Sequence, residues 1–219
     1  MLIGRRMTPN PITVRPEVSI VEALEQMRRE KVRHIPVVDK GGRLLGIVTR
    51  QDLLYASPSS ATSLNVWEVT YLVSHIKVSK VMTKEVITVT EDTPLEGAAL
   101  KMVENHIGGL PVMRGEELVG IITETDIFKV FIKVLCADQP GIRLVVKVSH
   151  QPGQLALLSK AIYEKGGNLL ALVAEPGEDG QAYELTMKIT GIPEKEIEPA
   201  IRDFVIQVLD IRSSSPGHE

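Results

Sequence analysis

The sequence predicts an α+β protein in which a unit of strand, helix, strand, strand and helix occurs twice and a smaller domain of strand, helix, strand, strand, helix and strand follows. Three observations carry this prediction. A block recurs at a spacing of 75 residues, with Met7-Thr8-Pro9-Asn10-Pro11-Ile12-Thr13-Val14 returning as Met82-Thr83-Lys84-Glu85-Val86-Ile87-Thr88-Val89. In each copy a Ser/Thr-x-x-Glu helix start precedes apolar residues at helical spacing. Beyond residue 141, strand-like runs are punctuated by a Gly-Gly stop and a polar hairpin.

The register of the repeat holds along both copies. Ala23, Met27, Pro36 and Val37 recur as Ala98, Met102, Pro111 and Val112. After a one-residue deletion, Leu44, Gly46, Ile47, Thr49 and Asp52 recur as Leu118, Gly120, Ile121, Thr123 and Asp126. Ser19 to Glu22 and Thr93 to Glu96 match the capping box, in which hydroxyl and carboxylate satisfy opposite orphan amides, and Pro94 suits a first helical turn. Ile20, Ala23, Leu24 and Met27, like Leu95, Ala98, Ala99 and Met102, then form one apolar stripe per helix, so these methionines are core. Ile35 to Val38 and Leu44 to Val48 flank Asp39-Lys40-Gly41-Gly42-Arg43, a hairpin signal that the second copy shortens to Arg114-Gly115-Glu116-Glu117. Between the copies, the run Ala56 to Ser63 is turn-rich, and a helix is expected in the segment Leu64 to Lys77 around Trp67.

The closing domain begins after Ala137-Asp138-Gln139-Pro140-Gly141 interrupts the apolar stretch from Ile127 to Leu135. A strand from Ile142 to Val148 leads through His150-Gln151-Pro152-Gly153 to a helix carrying Leu155, Leu158 and Ile162, stopped by Gly166-Gly167. Strands Asn168 to Ala174 and Gln181 to Thr190 flank the polar loop Glu175 to Gly180. Pro193 to Phe204 reads as a helix that Pro199 makes start late, and Val205 to Arg212 as the last strand.

Composition narrows the function. The 219 residues are 43% hydrophobic and 24% charged, enough for one or two ordinary cores. A net charge of −3 supplies no general attraction for nucleic acid or an anionic membrane, so neither is an expected partner. No apolar run approaches the roughly 20 residues of a membrane span, and Met1 to Arg6 is too short and too soon charged for a signal peptide. Cys136 is the single cysteine, which suits a reducing cytoplasm and excludes an internal disulfide. The histidines His34, His75, His106, His150 and His218 lack metal spacing, so no metal is expected. No catalytic triad or phosphate-loop lysine motif is visible and no catalytic residue is assigned; the chain is expected not to be an enzyme.

The two copies resemble the CBS domain, whose tandem pair is called a Bateman module. The resemblance lies in the strand ending Gly46-Ile47-Val48-Thr49-Arg50-Gln51-Asp52 and its counterpart Gly120-Ile121-Ile122-Thr123-Glu124-Thr125-Asp126. A Thr-x-x-Asp turn by itself is often only a helix cap. In duplicate, an ionised Asp suits two vicinal ribose hydroxyls, and the threonine hydroxyl and backbone amides suit a sugar or phosphate. The resemblance implies crossed clefts that bind an adenine nucleotide (AMP, ADP or ATP) or S-adenosylmethionine as a regulatory ligand. One cleft combines Thr49, Asp52 and Arg33, with Arg50 nearby, with Ile87, Gly108 and Gly109, where the two glycines leave room for an adenine plane. The other combines Thr123 and Asp126 with Ile12, Arg33 and His34; Glu124 there is expected to repel phosphate, so this cleft is expected to be empty or to hold a nucleoside.

The closing domain has a ferredoxin-like order and resembles the ACT domain, a small regulatory module that often binds amino acids. The family's Asp-x-Pro-Gly-x-Leu loop stands here as His150-Gln151-Pro152-Gly153-Gln154-Leu155, followed by Gly167-Asn168. His150, Gly153, Gln154, Leu155 and Asn168 are therefore the candidate effector residues, although His150 replaces the acidic acceptor for an amino group. The order of modules and the Trp67 segment are similar to the AcuB-type regulators of acetoin utilisation. The expected organisation is a first repeat at 1–60, a connector at 61–76, a second repeat at 77–135, a linker at 136–141, the ACT-like domain at 142–212 and a flexible tail at 213–219. The expected function is a non-catalytic, homodimeric metabolite sensor acting on a regulated partner. A regulatory subunit of a separate metabolic enzyme and a ligand-free dimerisation adaptor are the alternatives.

Overall fold

A computed structural model of the chain describes residues 1–56, 74–177, 180 and 182–214. The helix expected around Trp67 lies outside the described residues, as does most of the turn-rich run before it. The chain forms two compact units, Met1–Ile127 and Phe128–Glu219.

The first unit contains both repeats. Repeat one supplies strand β1 (Thr8–Pro9), helix α1 (Ile20–Arg29), strands β2 (His34–Val38) and β3 (Leu44–Thr49), and helix α2 (Arg50–Tyr55). Repeat two supplies β4 (Val89–Thr90), α3 (Leu95–Glu104), β5 (Gly109–Arg114), β6 (Glu117–Thr123) and α4 (Glu124–Val134), the last of which runs across the unit boundary. The Ser19 hydroxyl accepts from Glu22 N at 3.2 Å while the Glu22 carboxylate accepts from Ser19 N at 3.2 Å, so the first capping box forms. The second does not. Helix α3 starts one residue later than expected, with Pro94 as an extended N-cap, and the Thr93 hydroxyl accepts instead from Thr90 N at 3.1 Å.

The leading segments of the two repeats are exchanged. β1 of repeat one pairs antiparallel with β6 of repeat two, Thr8 opposite Ile121 and Pro9 opposite Gly120. Reciprocally, Thr83 bridges Ile47 of β3, with both N–H groups donating at 2.9 Å. The buried Ile3 donates to Thr93 O at 3.0 Å, whereas its counterpart Val78 donates to Val18 O at 2.9 Å and sits in the core of repeat one with Ile20, Met27, Ile35, Val48 and Leu53. Only the segments reaching Val14 and Val89 return to their own repeats, beside Val37 and Val112.

Two glycines permit this crossing. A methyl at Gly46 would stand 2.7 Å from Met82 Sδ and 2.8 Å from Thr83 O, and one at Gly120 would collide with Met7 Sδ. Methionine and glycine recur in both copies because the methionine of each repeat lies over the glycine of the other.

The second unit places β7 (Gly141–Ser149), α5 (Gln154–Glu164), β8 (Asn168–Pro176), β9 (Ala182–Thr190), α6 (Glu194–Ile201) and β10 (Gln207–Ser214) in the expected order. Its antiparallel sheet runs β10-β7-β9-β8. Ile142, Leu144, Val146 and Val148 alternate inward on β7 and share one core with Leu185, Met187 and Ile189, Leu158 and Ile162 of α5, and Ile197 and Ile201 of α6. Both helices therefore cover the same face. Contrary to the late start expected from Pro199, α6 begins at Glu194 behind Pro193 and keeps Pro199 inside, with a 3-10 turn at Arg202–Phe204 closing it. Burial of Ile197 and Ile201 on either side of Pro199 holds the helix through the missing N–H. β10 runs two residues past the expected end at Arg212. Ser213 Oγ donates to Glu194 at 2.7 Å and Lys188 Nζ donates to Ser214 Oγ, so these serines belong to the sheet and not to a tail.

Candidate functional site

The Thr-x-x-Asp elbows stand where β3 meets α2 and where β6 meets α4. At the first, Thr49 N and Thr49 Oγ1 both donate to Asp52 Oδ2 at 2.8 Å, and Asp52 N donates back to Thr49 Oγ1 at 3.2 Å. The second repeats the pattern: Thr123 N and Oγ1 donate to Asp126 Oδ2 at 3.1 and 2.7 Å, and Asp126 N donates to Thr123 Oγ1 at 3.4 Å. Each aspartate thus caps its helix through one oxygen, which fixes the carboxylate at the mouth of the elbow. Both are half-buried, and the flanking Arg50 and Glu124 are exposed.

The residues at the starts of β2 and β5 meet between the elbows. Arg33 and His34 correspond in the repeat to Gly108 and Gly109, and of the larger pair it is His34 that lies against a glycine. A methyl at Gly109 would lie 3.1 Å from His34 Cγ, and one at Gly108 would lie 3.1 Å from the Glu124 carboxylate. The room expected at Gly108 and Gly109 for an adenine plane is thus taken up by the Glu124 carboxylate and the His34 ring, because the two repeats face each other there. Arg33 Nη2 donates to Thr125 Oγ1 at 3.2 Å and faces Glu124 Oε1 at 3.7 Å; both members of that ion pair are exposed. Arg50 N donates to Arg33 O at 2.9 Å, and Glu124 N to Gly108 O at 3.1 Å, so each elbow is tied to the strand entry of its own repeat. Ile12 and Ile87 are half-buried on the approaches to Val14 and Val89, Ile12 packing on the core of repeat one. Sequence reasoning missed Thr125 as the partner of Arg33. The contact of His34 with Gly109 was signalled by their equivalent positions, 75 residues apart, once the repeats are known to face each other.

Burial lowers the pKa of His34 below the ordinary imidazole value of about 6.5, and the Arg33 cation lowers it further, while Glu124 and Asp52 oppose the shift. Neutral His34 is thus favoured at the seam. Because the folded chain takes up this proton less readily than the unfolded chain, its contribution to stability is complete above pH about 6.5 and is lost as pH falls below it. We expect the melting temperature of the first unit to fall between pH 7 and pH 5.5, and the slope to flatten in His34→Gln. An unchanged slope in that variant would assign the acid sensitivity elsewhere.

In the second unit, the left-handed Gly153 (φ 87°) caps α5, which favours glycine there. Gln154 Nε2 donates to Phe204 O, the His150 ring meets Tyr183 edge-on at 4.6 Å, Leu155 is exposed and Asn168 opens β8 opposite Thr190. Among the described residues, no three His, Cys, Asp or Glu side chains converge as metal ligands, and no helix is long and apolar enough to cross a membrane.

Residues 3–59 and 78–133, more than half the chain, match the CBS domain family model. The chain belongs to the CBS domain family. Its CBS pair is similar to the CBS domain pair of protein MJ0100, solved in complex with 5′-methylthioadenosine and S-adenosyl-L-methionine, at 31% identity and a TM-score of 0.51 over 60% of this chain and 95% of that one. An acetoin utilization protein (AcuB) from Vibrio cholerae is 32% identical with a TM-score of 0.52, over 62% of this chain and 93% of that one. The CBS pair is also 33% identical to part of an L-aspartate semialdehyde sulfurtransferase of Methanocaldococcus jannaschii, a match covering 59% of this chain and 23% of the enzyme. The chain thus spans about a quarter of that relative's length.

Proposed function

We propose that the chain is a non-catalytic regulator that senses an adenine nucleotide or related adenosyl ligand (AMP, ADP, ATP or S-adenosylmethionine) through its CBS pair. The observation that carries this reading is the twin Thr–Asp elbow, in which each carboxylate is pinned through one oxygen at a strand-to-helix mouth. Ribose recognition needs such a fixed acceptor, because two vicinal hydroxyls can then donate without the protein reorganising. The similar pair of MJ0100 binds two adenosyl compounds, which supports the same ligand class here. The clefts are those expected from the sequence: Thr49, Arg50 and Asp52 with Ile87, Gly108 and Gly109, and Thr123 and Asp126 with Ile12, Arg33 and His34.

The second unit acts as an ACT-type module. Support comes from its strand and helix order, its four-stranded antiparallel sheet with both helices on one face, and the Pro152-Gly153 turn into α5. Its effector or pairing surface would use His150, Gly153, Gln154, Leu155 and Asn168. The working assembly is a cytoplasmic homodimer. Ligand occupancy regulates a partner only to the extent that the ligand binds two arrangements unequally. A regulatory subunit of a separate metabolic enzyme is the second reading, favoured by the sulfurtransferase relative, which carries a similar pair within a longer enzyme.

Calorimetric titration of the purified chain with AMP, ADP, ATP and S-adenosylmethionine tests the proposal. Saturable binding without product formation is expected, with a ligand-dependent rise in melting temperature. Silence with all four ligands would leave the dimerisation adaptor, and turnover would make the chain an enzyme.

A further inference from the structure

The sheet of the second unit ends on an unshielded strand. β10 is an outer strand of the order β10-β7-β9-β8, and among the described residues β7 is its one neighbouring strand. Sheet edges are commonly shielded by lysine or proline, and Gln207 to Ser214 contains neither. A bulge falls between Val208 and Asp210, after which Asp210 to Ser214 run in regular register along β7. Side chains alternate there: Asp210 and Arg212 lie on the face opposite the helices, across from Val145 and Arg143, while Ile211 lies on the helix face across from Leu144. Asp210 accepts from Arg143 Nη1 at 2.5 Å and from Arg212 Nε at 2.9 Å. The Arg212 side chain is 59% exposed, within reach of a neighbouring chain.

On the helix side, a groove of about 560 Å³ is lined by Pro193 and Pro199 of α6 and by Ile211 of β10. Its wall carries Glu194 and Glu198 with Lys195 and Arg202, two acids and two bases, so it bears no net charge. Asp210 and Arg212 are opposite in charge, two residues apart and on one face. An antiparallel copy of the same strand, related by a two-fold axis at Ile211, therefore sets Asp210 of each chain directly across from Arg212 of the other, and Ile211 across from Ile211. Resting on the homodimer read above, we propose that β10 is its seam in the second unit, where two copies join edge to edge in this register as one eight-stranded sheet. Opposite charges directly across the ladder favour the pairing, and the backbone groups of the two edges gain partners. The two grooves meet over the Ile211 pair, and their neutral walls do not repel. β8, the other outer strand, has no such match with itself, because Glu175 is its one charged residue.

Sedimentation of the full-length chain over a range of concentrations tests the seam. The wild type is expected to sediment at twice its 24.1 kDa mass. Arg212→Glu sets a carboxylate against Asp210 of the other chain on both sides of the two-fold, and should raise the dimer dissociation constant at least about tenfold. Asp210→Arg combined with Arg212→Asp restores opposite charges in exchanged places and should recover most of that loss. Crosslinking then reads the register. In a Cys136→Ser background treated with oxidised glutathione, Ile211→Cys should form an intermolecular disulfide, because directly opposed residues of antiparallel strands have Cα atoms about 4.5–5.5 Å apart. Gln207→Cys, on the same strand but about 27 Å from its own copy in this register, should not.

A dissociation constant unmoved by Arg212→Glu, or Gln207→Cys crosslinking as readily as Ile211→Cys, would overturn the β10 seam while leaving a homodimer formed through another surface. A wild type that stays monomeric at every concentration would defeat the homodimer itself, and the seam with it.

Discussion

Asp52→Ala is expected to weaken binding of a phosphorylated adenosyl ligand by roughly 100-fold, the cost of deleting hydrogen bonds to a charged acceptor at a half-buried site. Asp52 Oδ2 accepts from Thr49 N and Thr49 Oγ1, both at 2.8 Å, and that pair of hydrogen bonds fixes the plane in which Oδ1 would meet a ribose under the proposed function. Removing the carboxylate has a second effect on the fold. The N-terminus of α2 loses its capping box, a loss of about 1 kcal/mol, so the melting temperature of the free variant should fall slightly. Asp52→Asn separates the two consequences, since an amide oxygen can still accept the Thr49 N–H. Titration of wild type and both variants, with free-protein melting curves alongside, checks the assignment. Full affinity in Asp52→Ala would remove the first elbow from the binding site.

Gly46→Val is expected to destabilise the first unit by about 2–3 kcal/mol, the scale of overpacking in a closely fitted interior. The obstruction on one side is backbone. Cβ would come 2.8 Å from Thr83 O, whose partner Ile47 N lies 2.9 Å away in the bridge joining the repeats. Met82 Sδ, at 2.7 Å, can turn aside because a thioether chain is flexible, but the Thr83 carbonyl can move only by opening the bridge. Gly46→Ala should show a smaller loss of the same sign, and Gly120→Val should act alike against Met7. Urea unfolding followed by a probe in the first unit measures the change. A midpoint equal to that of the wild type would mean that the leading segments are not exchanged as described.

Much of the local structure was legible before any coordinates. The Ser19–Glu22 box is a short-range exchange of hydrogen bonds, and its spacing of three residues suffices to announce it. The apolar stripes of α1 and α3, the β2–β3 hairpin and the six elements of the second unit follow from periodicities of 3.6 and 2, which are properties of neighbouring residues. Failures of local reading were also local. Thr93 carries the capping signature but its hydroxyl accepts from Thr90 N, and Pro199 reads as a breaker yet stays within α6 because Ile197 and Ile201 are anchored in the core.

The sequence by itself determined the duplication, the class of each element and the two Thr–Asp elbows, because repetition and short-range periodicity are written along the chain. Tertiary structure alone decided which repeat each leading segment joins. A two-residue strand such as Thr8–Pro9 has no alternation from which a partner can be read, and its pairing with Ile121 and Gly120 depends on closing a loop of more than 100 residues. The same holds for the seam. Arg33-His34 and Gly108-Gly109 look unrelated in sequence, and only the facing of one repeat against the other turns the missing side chains of the second pair into the space filled by His34 and Glu124.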